Sequence, residues 1–245
     1  MSARNVLGTA RRVLRQLRHD PRTVALVLLV PCLLMTILRF VYEGRPAVFD
    51  AAGAPLLSLF PLMTMFLVTS VALLRERTTG TLERLLTTPL GKLELLLGYG
   101  LAFGLLAIVQ VAMVLVVSLG PLGLHVAASR LMLGLLCVVV ALLGMGLGLL
   151  ASAFARTEFQ VVQFFPATIT PQLLLCGLLT PRERMQSVLH AVSDAMPMSY
   201  AVDAVHHLSR EKAIGGALWG DLAIVVGFAA LAIVLGAATL RRRTE

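Results

Sequence analysis

Charge is scarce in this 245-residue chain. Asp, Glu, Lys and Arg together make up 14% of it, against about 25% in soluble domains. The hydrophobic residues, 58% of the total, are gathered in runs instead of alternating. Runs of about 20 apolar residues match the hydrocarbon thickness of a bilayer, which sets a membrane protein above a soluble protein with buried central helices. Cysteine is also sparse. Cys32, Cys137 and Cys176 all fall inside apolar runs, with no spacing of a zinc site or redox pair, and read as small buried residues. No Gly-x-x-x-x-Gly-Lys-Ser/Thr phosphate loop occurs, so a nucleotide site of that kind would have to lie on another polypeptide. No nucleophile and base stand in a believable setting, and adjacent His206 and His207 cannot both reach one metal from a helix. Catalytic and metal-binding residues are therefore expected to be absent. The middles of the apolar runs carry no charge, which argues against a proton- or sodium-coupled carrier.

The net charge of +8 could suggest nucleic acid, but the basic residues cluster at the ends of the apolar runs, as orientation in a membrane requires. Six spans are expected, at about 23–41, 54–74, 93–119, 131–154, 159–179 and 217–240, in one domain covering 23–245. Of the 21 Lys and Arg, 14 fall on the side of the two termini. The positive-inside rule then makes the location the cytoplasmic (inner) membrane, multi-pass, with both termini cytoplasmic. The first span is expected to be retained, since its run is too long for a signal core.

Residues 1–22 read as an amphipathic interfacial helix. At about 100° per residue, Val6, Leu7, Ala10, Val13, Leu14 and Leu17 share one arc and Arg4, Arg11, Arg12, Arg15 and Arg18 the other. Such a helix can sink its apolar face among lipid headgroups. Gly100 and Gly104, and the Gly144-Met145-Gly146-Leu147-Gly148 stretch, mark places where helices are expected to pack closely. Gln110, Gln163 and Gln172 are uncharged polar residues in or near spans. They are candidates for a substrate path, or for hydrogen bonds between helices.

The segment from Arg75 to Pro89, within a cytoplasmic stretch 75–92, is polar and sharply punctuated. Gly80 offers a break, Thr81 an N-cap, and Glu83 an acid in the first turn where the helix dipole favours it. Leu82, Leu85 and Leu86 share a face, and Pro89 stops the helix. The segment reads either as a short surface helix that a partner could grip or as a solvated turn. After the fifth run, Pro166, Pro171, Gly177 and Pro181 would either kink the span or bend it back into the membrane.

Arg75-Glu76-Arg77-Thr78-Thr79-Gly80-Thr81-Leu82-Glu83-Arg84-Leu85-Leu86-Thr87-Thr88-Pro89 resembles the segment between the second and third spans of ABC-2-type transporter permeases, with the daunorubicin-resistance drug-export type the nearest flavour. Met196-Pro197-Met198-Ser199-Tyr200-Ala201-Val202-Asp203-Ala204 is similar to that family's Asn-Pro-x-Thr-Tyr-x-x-Asp block, and Cys176-Gly177 followed by Pro181 to its Ser-Gly-x-x-x-Pro. The resemblance implies an all-α polytopic permease subunit that exports an amphipathic or lipophilic substrate (drug, lipid or glycolipid-like). It implies that ATP and Mg are bound by partner ABC ATPase subunits, with no cofactor on this chain. A second permease copy or homologue and membrane lipid are the other partners expected; nucleic acid is not. Arg75, Glu76, Arg77, Gly80, Thr81, Leu82, Glu83, Leu85 and Leu86 would form the ATPase-coupling helix. Gly177, Pro181, Pro197, Tyr200 and Asp203 would build an external hairpin in 180–216 that dips back into the outer leaflet. The rival reading is a six-span membrane enzyme or scaffold working without an ATPase.

Overall fold

The computed structural model describes residues 2–81, 91–127, 129–210 and 215–239, and among the described residues every regular element is helical. Helix α1 spans Ala3–His19 and α2 Pro21–Val41. Helix α3 spans Pro46–Thr78, α4 Lys92–Leu119 and α5 Arg130–Phe154. Helix α6 spans Glu158–Leu175, followed by a 3-10 turn Arg182–Arg184, α7 Ser187–Asp194, α8 Pro197–Arg210 and α9 Gly216–Ala238. Among the described residues, five helices are long and apolar enough to cross a membrane: α2, α3, α4, α5 and α9.

Two boundaries differ from the sequence reading. The connection expected over 42–53 shrinks to a few residues, because α3 begins at Pro46 and runs for 33 residues. Pro46 suits a first turn, where its fixed φ helps and its missing N–H is not needed. The internal Pro55 and Pro61 are carried because α3 lies in the middle of the bundle, where neighbouring helices cover the interrupted backbone. Ser58 and Thr64 also donate their hydroxyls to the carbonyls of Pro55, and of Phe60 and Pro61. The fifth run ends as a helix at Leu175, and with Glu158, three glutamines and two prolines among its 18 residues it is not one of the five helices apolar enough to cross a membrane.

Helices α3 and α5 form the axis of the bundle. A Cβ at Gly144 would overlap the carbonyl oxygen of Leu62, and one at Gly148 that of Phe66. The two helix backbones therefore touch over one turn, the close approach that small residues at i and i+4 permit. On the other side of α5, a Cβ at Gly146 would lie 2.9 Å from Ala232 of α9. Gly100 faces open space, and Gly104 makes only an ordinary 3.6 Å contact with Leu142. The close crossing on α4 is at Gly98 instead, where a Cβ would overlap Thr9 of α1. The four-residue spacing of Gly100 and Gly104 could not reveal which face of α4 is turned inward.

The core divides along α3. One cluster gathers Phe49, Leu57, Leu62 and Phe66 with Val114, Cys176 and the buried face of α8. The other gathers Met65 and Leu73 with Ala10 and Val13 of α1 and Leu95, Tyr99 and Phe103 of α4. We expect Gly148→Val to lower the melting temperature of the protein in mild detergent by the equivalent of about 3 kcal/mol or to prevent folding, because backbone cannot move aside as a side chain can. Gly100→Ala should leave the melting temperature unchanged or slightly raised.

Candidate functional site

Three consecutive residues at the end of α3 leave it in three directions. Helical neighbours stand about 100° apart, so three in a row sweep about 200° of the helix surface. Arg75 forks onto Glu158 at the start of α6, with Nε donating to Oε1 at 2.6 Å and Nη2 to Oε2 at 3.1 Å. Glu76 is buried and turns toward α1, accepting from Arg12 Nη1 at 2.9 Å and Nη2 at 3.2 Å. Arg77 Nη2 donates to Thr239 Oγ1, just beyond α9, at 3.2 Å. The chain then leaves α3 through Gly80, whose φ of +69° favours glycine. The Thr79 N–H closes the last turn on the Arg75 carbonyl. Thr81 is already helical, so the cap position falls on Gly80 instead of Thr81. Leu82, Glu83, Leu85 and Leu86 lie outside the described residues.

Arg12 and Tyr99 complete this site, and sequence reasoning missed both. Arg12 Nη2 also donates to the Tyr99 hydroxyl at 2.8 Å, and its guanidinium lies 5.7 Å from the Tyr99 ring centre. Placed on the solvent arc by the helical wheel, Arg12 in fact stands at the margin of that arc and reaches inward. A signal was present: Tyr99 is the one tyrosine inside an apolar run, and a buried phenol seeks a hydrogen-bond partner. A second tie fixes the start of α1. Glu94, buried against it, accepts from the Ser2 N–H, the Asn5 amide and the Gly91 N–H.

A second polar hub lies where α6 gives way to the short helices, and Arg182 is its centre. Its guanidinium donates to Asp203 and to Asp194 and lies 5.5 Å from the centre of the Tyr200 ring. Burial works against the charge of Arg182, but the two carboxylates outweigh it and hold the guanidinium above its usual range. Tyr200 donates to the Asp194 carbonyl at 2.8 Å, and Ser193 to the Leu175 carbonyl at 2.8 Å. Gly177 has a φ of +90°, and a Cβ there would press on Arg182 Cγ at 3.3 Å. Pro181 precedes the 3-10 turn and Pro197 opens α8. The hub thus gathers Gly177, Pro181, Tyr200 and Asp203 around an arginine that the sequence reading did not single out.

The three glutamines do not form one path. Gln110 is buried and donates to Thr64 Oγ1, joining α4 to α3, while Gln172 is buried and donates to the Thr168 carbonyl within α6. Gln163 is exposed on α6. Among the described residues no group of three or more His, Cys, Asp and Glu could hold a metal ion.

Residues 6–208 match the family described as ABC-2 type transporter. The chain belongs to that family. It is a multi-pass membrane protein. The probable multidrug ABC transporter permease YbhS of Escherichia coli (strain K12) is 28% identical over 180 residues, which cover 73% of this chain and 48% of that protein. The linearmycin resistance permease protein LnrN of Bacillus subtilis (strain 168) is 23% identical over 202 residues, covering 81% of this chain and 51% of that protein. The inner membrane transport permease YhhJ of Escherichia coli (strain K12) is 30% identical over 142 residues, or 57% of this chain and 38% of that protein. This ABC-2 chain spans about half the length of the curated relatives it matches.

Two expectations follow for this ABC-2 bundle. Arg12→Ala or Glu76→Ala should each destabilise the detergent-solubilised protein by about 3 kcal/mol, since either leaves a largely buried charge unpaired. The double variant should lose clearly less than the sum, read as melting temperatures in a double-mutant cycle. Arg182→Lys keeps the charge but cannot fork between Asp194 and Asp203. It should cost about 1.5–3 kcal/mol by the same measurement.

Proposed function

We propose that the chain is the permease part of an ATP-driven exporter in the cytoplasmic membrane, carrying an amphipathic or lipophilic substrate outward. The observation that carries this is the fan at the end of α3. The segment that follows Gly80 is rooted in residues that hold α6, α1 and the end of α9 at once. A force applied to that segment would therefore reach three parts of the bundle together. The family, and the names of relatives such as multidrug ABC transporter permease and linearmycin resistance permease protein, support the same reading.

In this reading, ATP and Mg sit on separate ABC ATPase subunits, which close together and push on the coupling segment. Leu82, Leu85 and Leu86 fill a groove on the ATPase, Glu83 lies at its rim, and a second permease copy completes the transporter. Six crossings are part of the proposal, with α6 as the fifth. Its 18 residues give about 27 Å of helix, close to the roughly 30 Å hydrocarbon core. The Arg75–Glu158 pair starts α6 at the end where α3 finishes, and the Phe66–Phe165 ring contact at 5.9 Å keeps the two side by side farther along. Both termini are then cytoplasmic, and the Arg182 hub faces the outer leaflet as a re-entrant hairpin.

The test is a mild-detergent affinity purification with the co-purifying subunits identified and counted. An ATPase with a phosphate loop should appear at about one copy per permease. Leu85→Asp should remove it, or uncouple hydrolysis from export, while leaving the permease in the membrane, because a charge cannot enter an apolar groove without a partner. Export at the normal rate by Leu85→Asp would overturn the assignment.

A further inference from the structure

The apolar face of α1 is spent on the protein. Thr9, Ala10 and Val13 are buried, and a Cβ at Gly98 of α4 would overlap Thr9 and press on the Val6 carbonyl. The helix is also fastened by two acids, Glu94 at its start and Glu76 in its middle. Glu94 stands in the first turn of α4 and Glu76 in the last turn of α3. The 28 residues of α4 measure about 42 Å, against roughly 30 Å of hydrocarbon. Its first turn therefore reaches headgroup depth, and α1 lies beside it.

What α1 turns outward is arginine. Arg4, Arg11, Arg15 and Arg18 fall within an arc of about 60°, opposite the buried face, in a row about 21 Å long. All four are exposed. Among the described residues none of them is in an ion pair, unlike Arg12, and α1 itself carries no acid. Like charges three and four residues apart repel along a helix, so the row lacks a counter-charge that would relieve it. Gly8 fills the gap in the row and leaves it open, with no atom within 4 Å of where its Cβ would stand. From Gly8 a shallow groove of about 480 Å³ runs past Arg11 and Arg15 to His19 and Asp20. Asp20 is already faced by Arg22 and Arg75, so it does not cancel the row. Leu7, 63% exposed, lies about 40° around the helix from Arg11. Exposed leucine beside a row of arginines, at headgroup depth, suits a lipid surface better than an acidic protein surface in water. Arginine also forks readily onto phosphate oxygens.

We propose that the outward row of α1 binds anionic phospholipid, the headgroup phosphates seated between neighbouring arginines and the acyl chains beside Leu7. Because α1 is bolted to α3 and α4, lipid held there is held by the bundle and not by a loose tail. The export reading supplies only the leaflet, the cytoplasmic one, whose surface is negative. The lipid site itself needs no ATPase.

The experiment is native mass spectrometry of the purified chain without any ATPase, titrated with phosphatidylglycerol or with phosphatidylcholine. Phosphatidylglycerol should bind about tenfold more tightly, since a basic residue near an anionic surface is worth about fivefold and a headgroup meets one or two of them. The triple variant Arg4→Gln, Arg11→Gln, Arg15→Gln should bring the two lipids to parity. Its melting temperature should be unchanged, because the three side chains are exposed. Arg156→Gln, at an exposed arginine outside α1, should keep the preference, and inorganic phosphate should not compete. Equal binding of the two lipids by the unaltered protein would overturn the proposal. So would a preference that the triple variant keeps or that Arg156→Gln loses. Competition by inorganic phosphate would make the row a site for a soluble anion and overturn the lipid. If the triple variant keeps the lipid preference but no longer co-purifies with an ATPase, the row serves that partner instead. Because the lipid titration contains no ATPase, its outcome stands apart from the co-purification result with Leu85→Asp.

Discussion

Lipid tails are as apolar as leucine, so burying hydrocarbon between helices gives a membrane bundle little of the driving force that it gives a soluble core. Contact has to come from backbones brought close enough for many weak attractions to add. In this chain that happens where Gly144 and Gly148 of α5 meet the carbonyls of Leu62 and Phe66 in α3. The contact fixes α3 near its middle, at Leu62 and Phe66 of the first packed cluster, next to Met65 of the second. A 33-residue helix would span about 50 Å if straight, more than the hydrocarbon core requires. Gripped at its centre, it can carry a displacement from one end to the other.

At the Gly80 end, the partners of α3 are held with unequal strength. The Arg12–Glu76 pair has side-chain exposures of 27% and 10% and gains the Tyr99 hydroxyl as a further acceptor. The Arg75–Glu158 pair has exposures of 57% and 50%. Ion pairs so open to solvent contribute little and exchange readily with water, whereas separating a buried pair is costly. Of the two ion pairs the Arg75–Glu158 pair is thus the more easily exchanged, although the start of α6 also buries Val161 against Leu74 and Ala155. The hydrogen bonds of Glu94 to the start of α1 tie α1 to α4 independently of α3.

Much of this was legible in the sequence, for reasons that also explain what was not. The long apolar runs, the amphipathic start and the punctuation at Gly80 depend on local chemistry, and each left a local trace. Arg75, Glu76 and Arg77 stood out because charge is rare beside a span. Their separate partners did not, because Glu158, Arg12 and Thr239 lie 83, 64 and 162 residues away. The same limit hid Arg182: its worth comes from two carboxylates and a ring assembled by a turn at Gly177. It also misplaced the glycine packing on α4, since Gly98 and Gly100 differ in orientation and not in composition. The expected second span already ran through Pro55 and Pro61; what was missed is the stretch 46–53, where Asp50 and Gly53 look like a loop although Phe49 is buried in the core.

The far end of the bundle is built to move less. Helix α8 buries Ala201, Val202, Ala204, Val205 and Leu208 almost completely, so the short helices are part of the core and not a lid laid over it. The Arg182 hub fastens them to the turn that ends α6, and Ser193 adds a hydrogen bond to the last residue of that helix. Helix α6 is thus tied by an arginine network at the hub and, at its start, by the exposed Arg75–Glu158 pair and the burial of Val161 against Leu74. In the proposed orientation the exposed pair lies on the cytoplasmic side, where a force on the segment after Gly80 would meet it first, and the hub lies at the outer leaflet.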